Sequence, residues 1–193
     1  MTAPLSHFRL QLALDALHHG GLIAYPTEGV WGLGCDPEDP DAVLALLQLK
    51  QRPVEKGLIL VAANVDQLEP YLQGMSKAQR DTLEKSWPGP NTWLVPANKQ
   101  VPLWISGGQP TVALRVSAHP VIVALCTQFG GAIVSTSANP AGKKPARTLF
   151  SVQRYFGNSR LQGAHVTVVP GSLGDSGKPT TIRDLVTGKI VRS

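Results

Sequence analysis

The chain has 193 residues, of which 42% are hydrophobic and 16% charged, with a net charge of +5. That length and apolar content suit one α/β domain with a sizeable core, and no apolar run is long enough to cross a bilayer. The charge is unevenly placed: residues 1–85 hold eleven acids and seven Lys or Arg, whereas residues 86–174 hold seven Lys or Arg and no acid.

Ser6 can cap a first helix running to about His19, which Gly20-Gly21 stops. The start of the chain lacks the charged, apolar and small-residue order of a signal peptide, which points to the cytoplasm. Leu22 to Tyr25 reads as a short apolar strand. It breaks, in YPTEGVWGLG, into a turn carrying the Thr27 hydroxyl and three glycines. Asp39 then Pro40 reads as an N-cap and first helical position, opening a helix to about Leu49. Lys50, Arg52 and Lys56 follow within seven residues, ahead of a buried strand over Gly57 to Val61. Two short helices are predicted within Val65–Leu72 and Ser76–Ser86.

Trp87-Pro88-Gly89-Pro90 is a rigid turn. Thr92–Val95 and Thr111–Val116 read as strands, Pro120–Phe129 as a helix and Ala132–Ser135 as a buried strand. Ser137–Ala146 is a loop bearing glycine and lysine, and Thr148–Phe156 is helical. Val166–Val169, Thr181–Leu185 and Lys189–Val191 are strand candidates, the last two a hairpin across Thr187-Gly188. Strands interspersed with helices give an α/β fold with a mixed sheet. Cys35 and Cys126 form no CxxC pair and read as buried thiols.

Familiar motifs fail. Gly171 to Lys178 has one residue too many for a phosphate-binding Walker loop, and Pro179 stands where Ser or Thr is needed. Gly32-Leu33-Gly34 begins a dinucleotide fingerprint, but Pro37 occupies the third glycine position. The five histidines show no zinc spacing, no metal site is expected, and there is no GxSxG elbow.

Four polar clusters remain. Thr27 offers a hydroxyl beyond a strand end, or merely caps its turn. Lys50, Arg52 and Lys56 can neutralise an anion, or be a solvated helix end favoured by the macrodipole. Arg115 is a lone cation in the apolar strand VALRV and requires a partner; the acid-free surroundings favour a ligand over an internal carboxylate. Ser135-Thr136-Ser137-Ala138-Asn139-Pro140 ends a strand in hydroxyls and an amide, suited to a base, ribose or phosphate, or to an Asn-Pro turn. The following Lys143, Lys144 and Arg147 either contact RNA phosphates or form an ordinary solvated loop. The acid-free span itself is consistent with a polyanion partner and also with apolar core and loops that carry few charges.

Taken in order, YPTEGVWGLG, KQRPVEKGLIL, WPGPNTW, ALRVSAHP, STSANPAG and PTTIRD resemble the YrdC-like family of threonylcarbamoyl-AMP synthases, in its short bacterial TsaC branch. The resemblance runs from about Leu22 to Arg192. It implies a single YrdC-like domain over residues 1–193, without the C-terminal domain of longer members, built as a twisted mixed sheet with helices around a basic concave site. The implied activity condenses L-threonine, bicarbonate and ATP to threonylcarbamoyl-adenylate and pyrophosphate, for N6-threonylcarbamoylation of tRNA adenosine 37 by separate transferase machinery.

The same resemblance assigns Thr27, Arg115, Ser135 and Thr180 to threonine, and Lys50, Arg52, Ser137, Asn139 and Arg192 to ATP. Lys56 is a further substrate-contact candidate. No protein nucleophile is implied; Lys50 and Arg52 act by positioning and charge neutralisation. Magnesium is expected to arrive with ATP, and affinity for tRNA or double-stranded RNA is expected of the basic span. Gly29 and Trp31 depart from the family's commoner Thr and Tyr, and Lys56-Gly57 from its His-Pro or Asn-Pro. The alternatives are a non-catalytic RNA-binding protein in ribosomal RNA maturation and a small-molecule carbamoyl transferase.

Overall fold

A computed structural model describes residues 5–157, 165–177 and 180–192. Lys178 and Pro179, part of the segments discussed above, lie outside the described residues. Helix α1 (His7–His18) is capped by Ser6, whose side chain accepts from the Arg9 amide, and buries Ala13, Leu14 and Leu17. The chain then enters β1 (Leu22–Pro26), β2 (Trp31–Gly34) and α2 (Pro40–Lys50). As expected from sequence, Asp39 caps α2, accepting from the amides of Asp41 and Ala42, with proline in the first turn.

Next come β3 (Ile59–Ala62), α3 (Glu69–Leu72), α4 (Lys77–Glu84), β4 (Asn91–Pro96), α5 (Leu103–Ser106) and β5 (Thr111–Val116). The remaining elements are α6 (Pro120–Phe129), β6 (Ile133–Ser137), α7 (Leu149–Phe156), β7 (Val166–Val168), β8 (Thr181–Asp184) and β9 (Ile190–Arg192).

Among the described residues nine strands form one sheet in the order β7-β1-β2-β6-β3-β5-β4-β8-β9. It is mixed: β1–β7, β3–β5 and β4–β8 are parallel, and the other neighbours antiparallel. The expected hairpin across Thr187-Gly188 is β8–β9.

One strand was not anticipated. WGLG forms β2 although glycine weakens strands. Here the Tyr25 ring replaces the missing side chains. A Cβ on Gly32 would lie 3.2 Å from that ring, and one on Gly34 would reach both the ring and the Val134 carbonyl. Tyr25 is fully buried, its hydroxyl donating to the Val134 carbonyl (3.3 Å).

The period-two alternation of strand side chains divides the sheet into two faces. On one face, Leu33, Leu60, Val95, Val112, Leu114 and Val134 pack with α2, α3 and α4 in the larger core. On the other, Ile23, Tyr25, Val61 and Ile133 are covered by α1 and α6 through Ala13, Leu17, Ile122 and Leu125. These helices cover only part of that second face. The uncovered part is the site.

Candidate active site

The strand register lays out the floor of this uncovered region. Ser135 of β6 pairs with Ile59 of β3, Ile59 with Ala113 of β5, and Ala113 with Leu94 of β4. At the β2 end, Ser137 pairs with Gly32. Thr111, Ala113 and Arg115 alternate along β5 and point to the same side, as do Thr92 and Leu94 along β4. All of them line one cavity of about 450 Å³. That volume is in the range of small-molecule and cofactor sites.

Among the described residues the lining carries four cations, Arg52, Lys56, Arg115 and Arg192, and no carboxylate. Hydroxyls come from Thr27, Thr92, Ser106, Thr111, Ser135, Thr136, Ser137 and Thr180. Leu58, Ile59, Leu94, Ile105 and Ile182 add an apolar surface. A cavity that joins an apolar bed to several cations suits a molecule with a flat hydrophobic part and several negative charges.

Local backbone geometry places the cations. The chain leaves α2 through Gln51, which takes the left-handed conformation (φ 52°), and the Arg52 amide donates back to the Leu47 carbonyl (2.9 Å). A short 3-10 turn over Val54–Lys56 then ends at Gly57 (φ 58°). The Arg52 Nη2 donates to the carbonyls of Lys56 (3.1 Å) and Gly57 (2.8 Å), while its buried Nε has no partner among the described residues. Burial first, and the charge of Arg192 second, make protonation of Arg52 less favourable than usual. Loss of hydration acts on Arg192 in the same direction. Two cations held together in this way favour a bound anion.

Arg115 corrects one expectation. It does have an internal carboxylate: its Nη2 faces Glu28 Oε2 in a buried ion pair. Its Nε donates to the Gly89 carbonyl (3.1 Å). Glu28 Oε1 accepts from the Ser117 hydroxyl (2.7 Å). Burial alone would raise the Glu28 pKa, but the Arg115 charge and the Arg115 and Ser117 hydrogen bonds outweigh it and hold it below the usual carboxylate value. Glu28 was visible within the first motif, yet nothing in a linear reading ties it to a strand in the middle of the chain.

The other expected residues fall into three groups. Ser135, Ser137, Thr180, Arg52, Lys56 and Arg192 line the cavity with Arg115. Thr27 also lines it, with its hydroxyl donated to the Val30 carbonyl (2.7 Å) and thus closing the turn. Lys50 and Asn139 stand beside the cavity and are not on its lining. Lys50 is only 4% exposed, and its ammonium donates to the carbonyls of Ser137 and Asn139, the latter at 2.8 Å. It clips the exit of β6 to the end of α2. Burial, with the Arg52 charge second, draws the Lys50 pKa down to about 8. Asn139 donates to the Pro140 and Lys143 carbonyls and shapes the loop. Lys143, Lys144 and Arg147 are exposed on that loop, outside the lining.

Sequence reading missed Thr92, whose buried hydroxyl meets that of Thr180 at 3.0 Å. It also missed Ser106 and Thr111, which have no neighbouring motif; Thr92 lies inside WPGPNTW, but the linear reading of that motif gave its hydroxyl no role.

A family model described as telomere recombination, grouping Sua5, YciO and YrdC proteins, matches residues 15–193. The chain belongs to the Sua5/YciO/YrdC family. A threonylcarbamoyl-AMP synthase of Cellvibrio japonicus is 55% identical over 184 residues, covering 95% of each chain. One of Halorhodospira halophila is 52% identical, covering 96% of this chain and 94% of its own. The fold of the Sua5/YciO/YrdC family recurs in P. abyssi Sua5 complexed with L-threonine, with a TM-score of 0.85 at 28% identity. That match covers 97% of this chain and 54% of the longer Sua5 chain.

Proposed function

We infer that this chain is a threonylcarbamoyl-AMP synthase. It joins L-threonine, bicarbonate and ATP into threonylcarbamoyl-adenylate, releasing pyrophosphate, and so supplies the group placed on N6 of tRNA adenosine 37. The observation that carries this reading is 55% identity, over 95% of both chains, to a protein of that name. The carboxylate-free cavity with four cations supports it, because every substrate of this reaction is anionic or carries a carboxylate.

In this reading the threonine carboxylate meets Arg115, with Thr27, Ser135 and Thr180 around the rest of the amino acid. ATP lies over the apolar bed, its phosphates toward Arg52 and Arg192, with Lys56 at the rim. Ser137 faces the nucleotide, while Lys50 and Asn139 hold the loop that carries it.

The free amine of threonine attacks the carbon of bicarbonate, a C–O bond of that carbon breaks, and the oxygen leaves as water with a proton from the nitrogen, giving a carbamate. A carbamate oxygen then attacks the α-phosphorus, and the bond from that phosphorus to the bridging oxygen breaks, with its electrons leaving on pyrophosphate. Two anions must approach, so positioning and charge neutralisation supply the catalysis. No protein nucleophile is required.

Magnesium, brought by ATP, would be held by phosphate oxygens and water. The donor set fits that role, since the lining offers hydroxyls and cations without a carboxylate. The reaction belongs in the cytoplasm, where ATP and tRNA are available, and a separate transferase consumes the product. Affinity for tRNA or double-stranded RNA rests on the exposed Lys143, Lys144 and Arg147.

The test is incubation of the protein with ATP, magnesium, bicarbonate and L-threonine, following pyrophosphate and identifying the adenylate by mass spectrometry. Product that requires all three substrates supports the synthase. Turnover of carbamoyl phosphate in place of ATP and bicarbonate, or absence of any product, overturns it.

A further inference from the structure

We propose that Glu28 is the positioning residue of Arg115, and that it leaves Arg115 a one-nitrogen hook selective for a single carboxylate. The inference rests on the reading of Arg115 as the threonine-carboxylate partner. The guanidinium is held at two of its three nitrogens: Nε by the Gly89 carbonyl and Nη2 by Glu28. Nη1 has no hydrogen-bond partner among the described residues, and it belongs to a side chain that lines the cavity.

Glu28 is itself fixed from two sides. Its side chain accepts from Ser117, the fully buried residue just beyond β5, whose amide donates to the Ala62 carbonyl (3.0 Å). Its backbone carbonyl accepts from the Ser176 amide (3.2 Å) and hydroxyl (2.9 Å). Gly174 packs so closely that a Cβ there would lie 2.9 Å from Glu28 Cα. The carboxylate is therefore a fixed anchor.

An unpaired arginine presents a fork that grips phosphate or carboxylate through two parallel bonds and a full charge. Arg115 presents half a fork, and Glu28 cancels its charge. A directed N–H remains, adequate for one carboxylate oxygen and poor for a phosphate group. Among the described residues Arg52, Lys56 and Arg192 have no carboxylate partner, so they keep the full charge that polyphosphate prefers. Glu28 thereby separates two anions within one cavity, directing threonine to Arg115 and the phosphates to the other cations.

The experiment compares wild type, Glu28→Gln, Arg115→Met and the double variant in the synthase assay, each confirmed folded by thermal melting. Glu28→Gln is expected to raise KM for L-threonine about tenfold, the scale of one misdirected charge-assisted hydrogen bond. KM for ATP should stay within about twofold, as expected when the phosphate-binding cations are untouched. Pyrophosphate should become a competitor of threonine in this variant. In the Arg115→Met background, Glu28→Gln should add no further loss, because the two residues act as a unit. Ser117→Ala, which keeps the ion pair and removes only its support, should shift KM for threonine in the same direction by less. An unchanged threonine KM in a folded Glu28→Gln enzyme overturns the proposal while leaving the synthase intact, as does an additive loss in the double variant. A wild type that makes no product overturns the synthase reading and this inference with it.

Discussion

Arg52 and Arg192 stand far apart in the chain, one just after α2 and one at the end of β9, yet they border the same cavity and repel each other there. The sheet order makes them neighbours around the site, and their repulsion is relieved when an anion sits between them. Replacing either by Ala is expected to raise KM for ATP on the order of tenfold or more, the scale of one charge-assisted contact. KM for threonine should move less. Added salt should weaken ATP binding in wild type more than in either variant, because screening acts on the charges that remain. Initial-rate kinetics at two ionic strengths check this.

Truncating Arg115 has two consequences. Under the proposed function threonine loses its carboxylate partner, and Glu28 is left buried without its counter-charge. Arg115→Ala should therefore lose threonine affinity and also about 3–5 kcal/mol of stability at neutral pH. The two proteins respond to pH with opposite signs. In wild type the depressed Glu28 pKa contributes stability that is present above its ordinary value of 4.5 and lost as pH falls through the folded value. In the variant an unpaired buried carboxylate prefers its proton, so stability falls as pH rises. The gap in unfolding free energy between the two should widen from pH 4 to pH 7, about as far as one buried carboxylate allows. Denaturant titrations across that range would show it; a constant gap would exclude the Glu28 ion pair as its source.

Lys50 predicts behaviour at the other end of the pH scale. Its folded pKa of about 8 lies below the ordinary lysine value of 10.5. Between those values the unfolded chain binds the extra proton, so the contribution of Lys50 to stability rises with pH through that window. The gain is on the order of 1–3 kcal/mol. Lys50→Met removes the titration and leaves the Ser137 and Asn139 carbonyls without that donor. The variant should be less stable at pH 7 and lack this rise. Chemical denaturation of both proteins from pH 7.5 to 10 is the measurement.

Gly34→Ala tests the packing beneath the site. The new Cβ must displace the Val134 carbonyl, which is ladder backbone, and it also crowds the Tyr25 ring. A cost of about 2 kcal/mol or more is expected, as for other overpacked interiors. Loss of activity should track loss of folded protein, with KM for both substrates nearly unchanged in what remains folded.

Much of the fold was legible where local chemistry is strong. Ser6 and Asp39 announce helix starts, Pro120–Phe129 reads as the helix that is α6, and VALRV and GLILV read as buried strands. β2 was hidden because two of its four residues are glycines, and only the three-dimensional placement of Tyr25 explains how they form a strand. At the site, the solitary Arg115 correctly signalled a need for a partner. Its partner was invisible because Glu28 reaches it across the sheet, from the turn between β1 and β2. The direction of the Lys50 ammonium, away from the cavity and onto two carbonyls, depends on how the loop after β6 folds back, and composition carries no information about that.

The strand order has a consequence for assembly. Because β6 is inserted between β2 and β3, and β8 pairs with β4, the cavity draws its walls from early, middle and late parts of the chain. A nicked or split chain should bind neither substrate until its pieces dock, and reassociation should restore both affinities together. Substrate binding is thus a reporter of complete chain assembly, and complementation between two inactive fragments would read out the sheet closing.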